Sequence, residues 1–209
     1  MLATLFMLAA TAFLIARVEE LIFKDKGELS VTRDRQDPEA LIFTWRNQVE
    51  APMARRFEEA YREWKGEGTR IIIDLHSPGG SIVEGEQVIR IIDRMKRTHI
   101  VETRVRSRRA CYSMCVPIYL QGETRYAAAN ARFMFHEPTA YDFYTGEEVD
   151  QPQFERDFTS RRFFDRYFVN SPMDATWREQ LAREWKGKDL FYSAQQLVDQ
   201  DSNIVTVLE

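Results

Sequence analysis

The sequence predicts an α/β fold, a mostly parallel sheet with flanking helices. Two observations carry that reading. Arg70 to Leu75 contains the run Ile71-Ile72-Ile73, and a short stretch that is apolar at consecutive positions reads as a strand buried on both faces, as in a sheet covered by helices. Around it, apolar runs of strand length alternate with segments whose apolar residues recur at helical spacing, the pattern of βαβ units.

The elements follow in chain order. Ala40 to Trp45 is a short apolar, β-prone run. Ala54 to Lys65 sets Phe57, Ala60, Tyr61 and Trp64 at helical spacing, and Gly66-Glu67-Gly68 closes it. After the isoleucine strand, Ser77-Pro78-Gly79-Gly80 turns the chain into a helix over Glu84 to Arg97, with Val88, Ile91, Ile92 and Met95 on its apolar side. A strand is expected from His99 to Val105, a small apolar helix from Tyr112 to Leu120, and a strand from Ala131 to Phe135. Gln151 to Arg183 reads as two helices, and Asn203 to Leu208 as a closing strand.

A chain of 209 residues suffices for one well-buried domain and is short for two. With a net charge of −4 it has no overall field to attract nucleic acid, so no nucleic-acid partner is expected. No repeat of fixed period points to a solenoid or propeller. The three histidines and two cysteines have no metal-ligand spacing, and neither metal nor cofactor is expected.

The start departs from this composition. Leu2 to Ala16 is apolar except for two threonines, and Arg17, Glu19 and Glu20 follow. That length fits a signal-peptide core or short anchor rather than a full span of about 20 residues. No basic residue precedes it; Ala10-Thr11-Ala12 resembles a cleavage site, but the apolar run continues past it. The expected organisation is an apolar signal or anchor over residues 1–23, a charged tether over 24–38, and a folded domain over 39–209. That domain would be exported, periplasmic or membrane-anchored, outside the cytoplasm.

Three stretches have the residue types that catalysis needs, and each has a plainer reading on its own. In Asp74-Leu75-His76-Ser77-Pro78-Gly79-Gly80, paired glycines at a strand end allow φ > 0 and bring N–H groups close to a ligand; a Pro-Gly-Gly turn is also often just a turn. In Cys111-Tyr112-Ser113-Met114-Cys115, a serine at a helix start meets free N–H groups, yet an N-cap is the common role of such a serine. In Phe133-Met134-Phe135-His136, a strand delivers one imidazole to a sheet edge, where a lone histidine is usually structural.

Their order is what changes the reading. Ser77-Pro78-Gly79-Gly80, Ser113-Met114, Gly122 with Arg125-Tyr126, Asn130-Ala131-Arg132, Met134 with His136, and Asp189-Leu190-Phe191-Tyr192-Ser193-Ala194 occur in one sequence. This resembles the proteolytic subunit of the Clp protease, ClpP, which reads Ser-Pro-Gly-Gly, Ala-Ser-Met-Gly-Ala, Gly-x-Arg-Tyr, Pro-Asn-(Ala/Ser)-Arg, Met-Ile-His-Gln-Pro and Asp-Arg-Phe-Leu-Ser-Ala at similar spacings. The resemblance covers roughly residues 39 to 208 and implies the ClpP/crotonase-like fold of repeated ββα units. It implies Ser113 as nucleophile, His136 as general base, Asp189 as the acid that orients the imidazole, and the Gly80 and Met114 N–H groups as oxyanion hole. It further implies a polypeptide substrate, a homo-oligomer, and a handle-like helical insertion over 139–185. There the aromatic residues Phe158, Phe163, Phe164, Tyr167 and Phe168 are expected in the core or in oligomer contacts.

Departures from the family pattern shape the functional expectation. Cys111 and Tyr112 stand where the family has small residues, Cys115 replaces a glycine, and Glu137 replaces a glutamine. With no recognisable ATPase-docking feature, an ATP-independent serine peptidase with an acyl-enzyme is expected. The alternative is a non-catalytic ClpP-like binding or scaffold protein anchored at a membrane. Acyl-thioester chemistry of the crotonase kind lacks a suitably placed acidic pair. Cys111 and Cys115, four apart, lie on one face if the stretch is helical and can then form a disulfide; two small buried hydrophobes are the equal alternative. Arg104, Arg106, Arg108 and Arg109 read as a solvated strand end or as a cationic rim for acidic groups.

Overall fold

The computed structural model describes residues 29–140, 149 and 151–209. In chain order the strands are β1 (Ser30–Arg33), β2 (Ala40–Trp45), β3 (Arg70–Leu75), β4 (Ile100–Val105), β5 (Ala110–Tyr112), β6 (Arg125–Ala127), β7 (Arg132–Phe135), β8 (Leu190–Ser193) and β9 (Val207–Leu208). The helices are α1 (Met53–Trp64), α2 (Ile82–Met95), α3 (Cys115–Tyr119), α4 (Gln153–Phe164), α5 (Ala175–Glu184) and α6 (Ala194–Asp199), with a π-helical turn at Asp165–Val169 after α4. Among the described residues the strands form a six-stranded sheet, ordered β1-β2-β3-β4-β6-β9, and a three-stranded sheet, ordered β5-β7-β8. Every neighbouring pair in the large sheet is parallel except β1 with β2, and in the small sheet only β7 and β8 run antiparallel.

Burial explains the layout. In β3, Ile71 to Leu75 are all buried, and β2 and β4 pair with it on either side in parallel register. The helices α1 and α2 turn Phe57, Ala60, Val88, Ile91, Ile92 and Met95 inward, against Phe43, Trp45 and Ile73. The α2 start is fixed by Ser81, whose hydroxyl accepts the Glu84 N–H at 3.2 Å, satisfying one of the free donors of a first turn. A second aromatic cluster joins Phe163, Phe164, Phe168 and Trp185 to Phe135 and Trp177. Phe163, Phe164, Tyr167 and Phe168 are therefore core, whereas Phe158 is exposed, as is Phe154.

The Gly122…Arg125-Tyr126 stretch has a structural role. Arg125 is buried, and its guanidinium donates to the carbonyls of Gly122, Asn203 and Ile204, tying the C-terminal segment to β6.

Several boundaries differ from expectation. Part of the expected charged tether, residues 24–38, is strand β1, paired antiparallel with β2. Leu29 and Val31 pack against the core, while Arg33 pairs with Glu67 at 2.5 Å, so the charges lie along an exposed sheet edge, where edge strands commonly place them. Tyr112 belongs to β5 rather than to a helix, and only Val207–Leu208 of the closing segment is strand. The expected anchor over residues 1–23 lies outside the described residues; among the described residues no helix is long and apolar enough to cross a membrane.

Candidate active site

The site is assembled where the two sheets meet. Ser77, just past β3, pairs with β5: its N–H donates to Ala110 O at 2.9 Å, and its carbonyl accepts the Tyr112 N–H at 3.0 Å. The Ala110 N–H donates to His76 Nδ1 at 3.0 Å. The Pro-Gly-Gly turn is thereby fastened beside the serine turn. Contact is close enough to demand glycine: a Cβ on Gly79, whose φ is +93°, would lie 2.5 Å from Ser113 Cβ and 2.7 Å from Tyr112 O.

Ser113 sits between β5 and α3 at φ +52°, a left-handed conformation uncommon for a residue with a side chain. Its N–H donates to Met134 O on β7 at 2.9 Å, and its carbonyl accepts the Val116 N–H at 2.9 Å. Such sharp strand-to-helix turns present a side chain outward, and strain of this kind concentrates at functional sites. Because α3 begins at Cys115, Pro117 falls in its first turn, where the missing N–H costs no intrahelical bond.

His136 follows β7, and its Nε2 lies 2.7 Å from Ser113 Oγ, hydrogen-bond distance for a serine hydroxyl donating to a neutral imidazole. Burial lowers the His136 pKa below the ordinary value of 6.5, with the Asp189 carboxylate pulling in the opposite direction. Desolvation is therefore the larger influence and favours the neutral, proton-accepting ring. His136 and Asp189 both line a cleft of about 530 Å³, together with Glu137, Arg156 and Lys188. Asp189 thus acts on the imidazole through its charge, and no hydrogen bond joins the two side chains among the described residues.

Two main-chain donors remain free. Gly80 bridges Val49 through the flanking Val49 N–H to Gly79 O and Ser81 N–H to Val49 O bonds. Neither the Gly80 N–H nor the Met114 N–H finds an acceptor among the described residues. Met114 itself is held beneath Gly85, where a Cβ would meet the Met114 side chain at 2.5 Å.

Cys111 and Cys115 are joined by a disulfide. The stretch is not helical throughout, so the shared helix face is not the reason. The turn at Ser113 folds the start of α3 back toward β5 and brings the two Cα atoms to 5.2 Å. Of the arginine run, Arg104 pairs with Glu209 at 3.4 Å and Arg106 with Asp74; these two are engaged in ion pairs rather than presented as a free cationic rim.

Two residues of the ordered motifs have roles at the site that the sequence did not assign: Met134, whose carbonyl holds Ser113, and Phe191, which meets Tyr112 edge-on at 5.6 Å. Both depend on the register Tyr112↔Met134↔Phe191 across the small sheet, for which a single sequence holds no local signal.

A family model described as Clp protease matches residues 43–167. No curated protein matches the chain. Among solved structures, an Asn-to-Asp mutant of ClpP1 from Listeria monocytogenes is similar with a TM-score of 0.63 and 18% identity, over 83% of this chain and 92% of that one.

Proposed function

The chain belongs to the Clp protease family, and from that premise we propose that it is an ATP-independent serine peptidase with Ser113 as nucleophile. The observation that carries the reading is the 2.7 Å approach of His136 Nε2 to Ser113 Oγ, on a turn flanked by the free Gly80 and Met114 N–H groups. In the first half-reaction His136 takes the Ser113 proton as Oγ attacks the carbonyl carbon of the scissile bond. The oxyanion that forms is received by the Gly80 and Met114 N–H groups, which have no acceptor among the described residues, and fixed donors at that position lower the barrier. The imidazolium, favoured by the Asp189 charge, gives its proton to the leaving amine. Water, deprotonated by the same ring, then attacks the ester on Ser113, and the ring returns that proton to Oγ as the acyl product leaves.

The substrate is an extended polypeptide lying along the Pro78-Gly79-Gly80 turn, recognised by main-chain pairing as strands are. A homo-oligomer is proposed as well, supported by the exposed Phe154 and Phe158 on α4. The test is hydrolysis of an unstructured polypeptide by the full chain without nucleotide. Cleavage that disappears in Ser113→Ala is expected; cleavage that persists in the folded variant, or none by folded wild type, rejects the assignment.

A further inference from the structure

Cys111 is the middle residue of β5, in register with Phe133 on β7, and Cys115 is the first residue of α3. Both are fully buried, and a disulfide joins them. The residues enclosed are Tyr112, Ser113 and Met114, which include the nucleophile and one of the two free main-chain donors. Ser113 holds a left-handed backbone, φ +52°, that an unrestrained serine rarely keeps. A cross-link between residues four apart closes a very short loop, so it restrains the unfolded chain far less than a long-range bridge. Its leverage is local, on the turn itself.

We infer that the Cys111–Cys115 bond is a positioning element that keeps Ser113 Oγ in line with His136 and the Met114 N–H aimed at the oxyanion, so that turnover follows the redox state of this pair. The inference rests on Ser113 as nucleophile. The chemistry is thiol–disulfide exchange: a dithiol reductant attacks one sulfur to form a mixed disulfide, then its second thiolate displaces the cysteine. Two electrons pass, Cys111 and Cys115 become thiols, and the reductant becomes a cyclic disulfide. An oxidised small-molecule disulfide reverses the step and is itself reduced to two thiols. Because both sulfurs are buried, exchange proceeds through local opening of the turn.

The experiment uses the full chain in four forms: oxidised wild type; wild type reduced with dithiothreitol in urea below its unfolding midpoint and desalted; the same sample reoxidised with oxidised glutathione; and Cys111→Ala/Cys115→Ala. Each is measured for thiol content, unfolding midpoint, rate of fluorophosphonate labelling, and kcat and KM on a peptide ester. The expected result is kcat and labelling about 100-fold slower in the reduced and cysteine-free forms, the loss that a misplacement of about 1 Å produces, with KM unchanged and full recovery on reoxidation. Equal rates in all folded forms would overturn the inference. So would losses that merely track the folded fraction, since a purely structural bond would leave the kcat of folded molecules untouched. Oxidised wild type that fails to label at all defeats the nucleophile assignment itself; labelling indifferent to the cross-link defeats only the positioning role.

Discussion

Replacing Gly79 by alanine tests the packing of the Pro-Gly-Gly turn against the Ser113 turn directly. The added Cβ would stand 2.5 Å from Ser113 Cβ and 2.7 Å from Tyr112 O, whereas carbon atoms rest about 3.5–4.0 Å apart. Relief requires the Ser113 turn and the Pro-Gly-Gly turn to separate by about 1 Å. The alanine must also adopt φ +93°, which costs roughly 1–2 kcal/mol. A displacement of about 1 Å at a reacting atom lowers rates about 100-fold, equivalent to about 2.7 kcal/mol of barrier. Gly79→Ala is therefore expected to keep its fold with a slightly lower unfolding midpoint, while its fluorophosphonate labelling rate and kcat/KM both fall about 100-fold. Gly66→Ala is the control, since a Cβ there meets nothing within 4 Å, and it should label like wild type. A folded Gly79→Ala protein that labels at the wild-type rate would refute the claim that this contact sets the position of the nucleophile.

Four other outcomes are expected. The acid limb of kcat/KM should lie below the ordinary histidine value of 6.5, because burial lowers the His136 pKa and the neutral ring is the active base. Asp189→Asn removes the charge that favours the imidazolium, so the limb should move to still lower pH while kcat falls; a limb that stays put would exclude Asp189 from the electrostatics of the site. Phe57→Ala empties a fully buried position beneath Phe43 and Trp45 and should cost about 3–5 kcal/mol in denaturant titration, a reading contradicted by a loss within experimental error. If the apolar residues 2–16 anchor the chain, carbonate extraction should leave it in the membrane fraction, and complete release would end the anchor expectation.

The sequence made the elements of the large sheet legible because their signal is local. Ala40 to Trp45, mostly apolar, and Arg70 to Leu75, built around the run Ile71-Ile72-Ile73, are formed by the structure as β2 and β3 with those bounds, and α2 falls within two residues of its helical period. The small sheet was harder. Its strands β5 and β8 are three and four residues long, too short for alternation to register, and they are specified by long-range pairing to β7. Ser113 and His136 could be named from motif order, but the conformation that makes the serine accessible, φ +52°, has no sequence signature without glycine at that position. The cysteine pair was legible only as one of two equal readings, a disulfide if the stretch were helical or two small buried hydrophobes; the two are joined because the chain turns sharply between strand and helix, not because they share a helix face.

The central claim is that the Ser113 hydroxyl, activated by His136, is the reacting atom. The most direct measurement is to treat folded wild type with a fluorophosphonate and locate the adduct by peptide mass spectrometry, beside Ser113→Ala and His136→Ala. A single adduct on Ser113, absent from Ser113→Ala and strongly slowed in His136→Ala, is the predicted result. An adduct on another residue, or none on folded wild type, would contradict it.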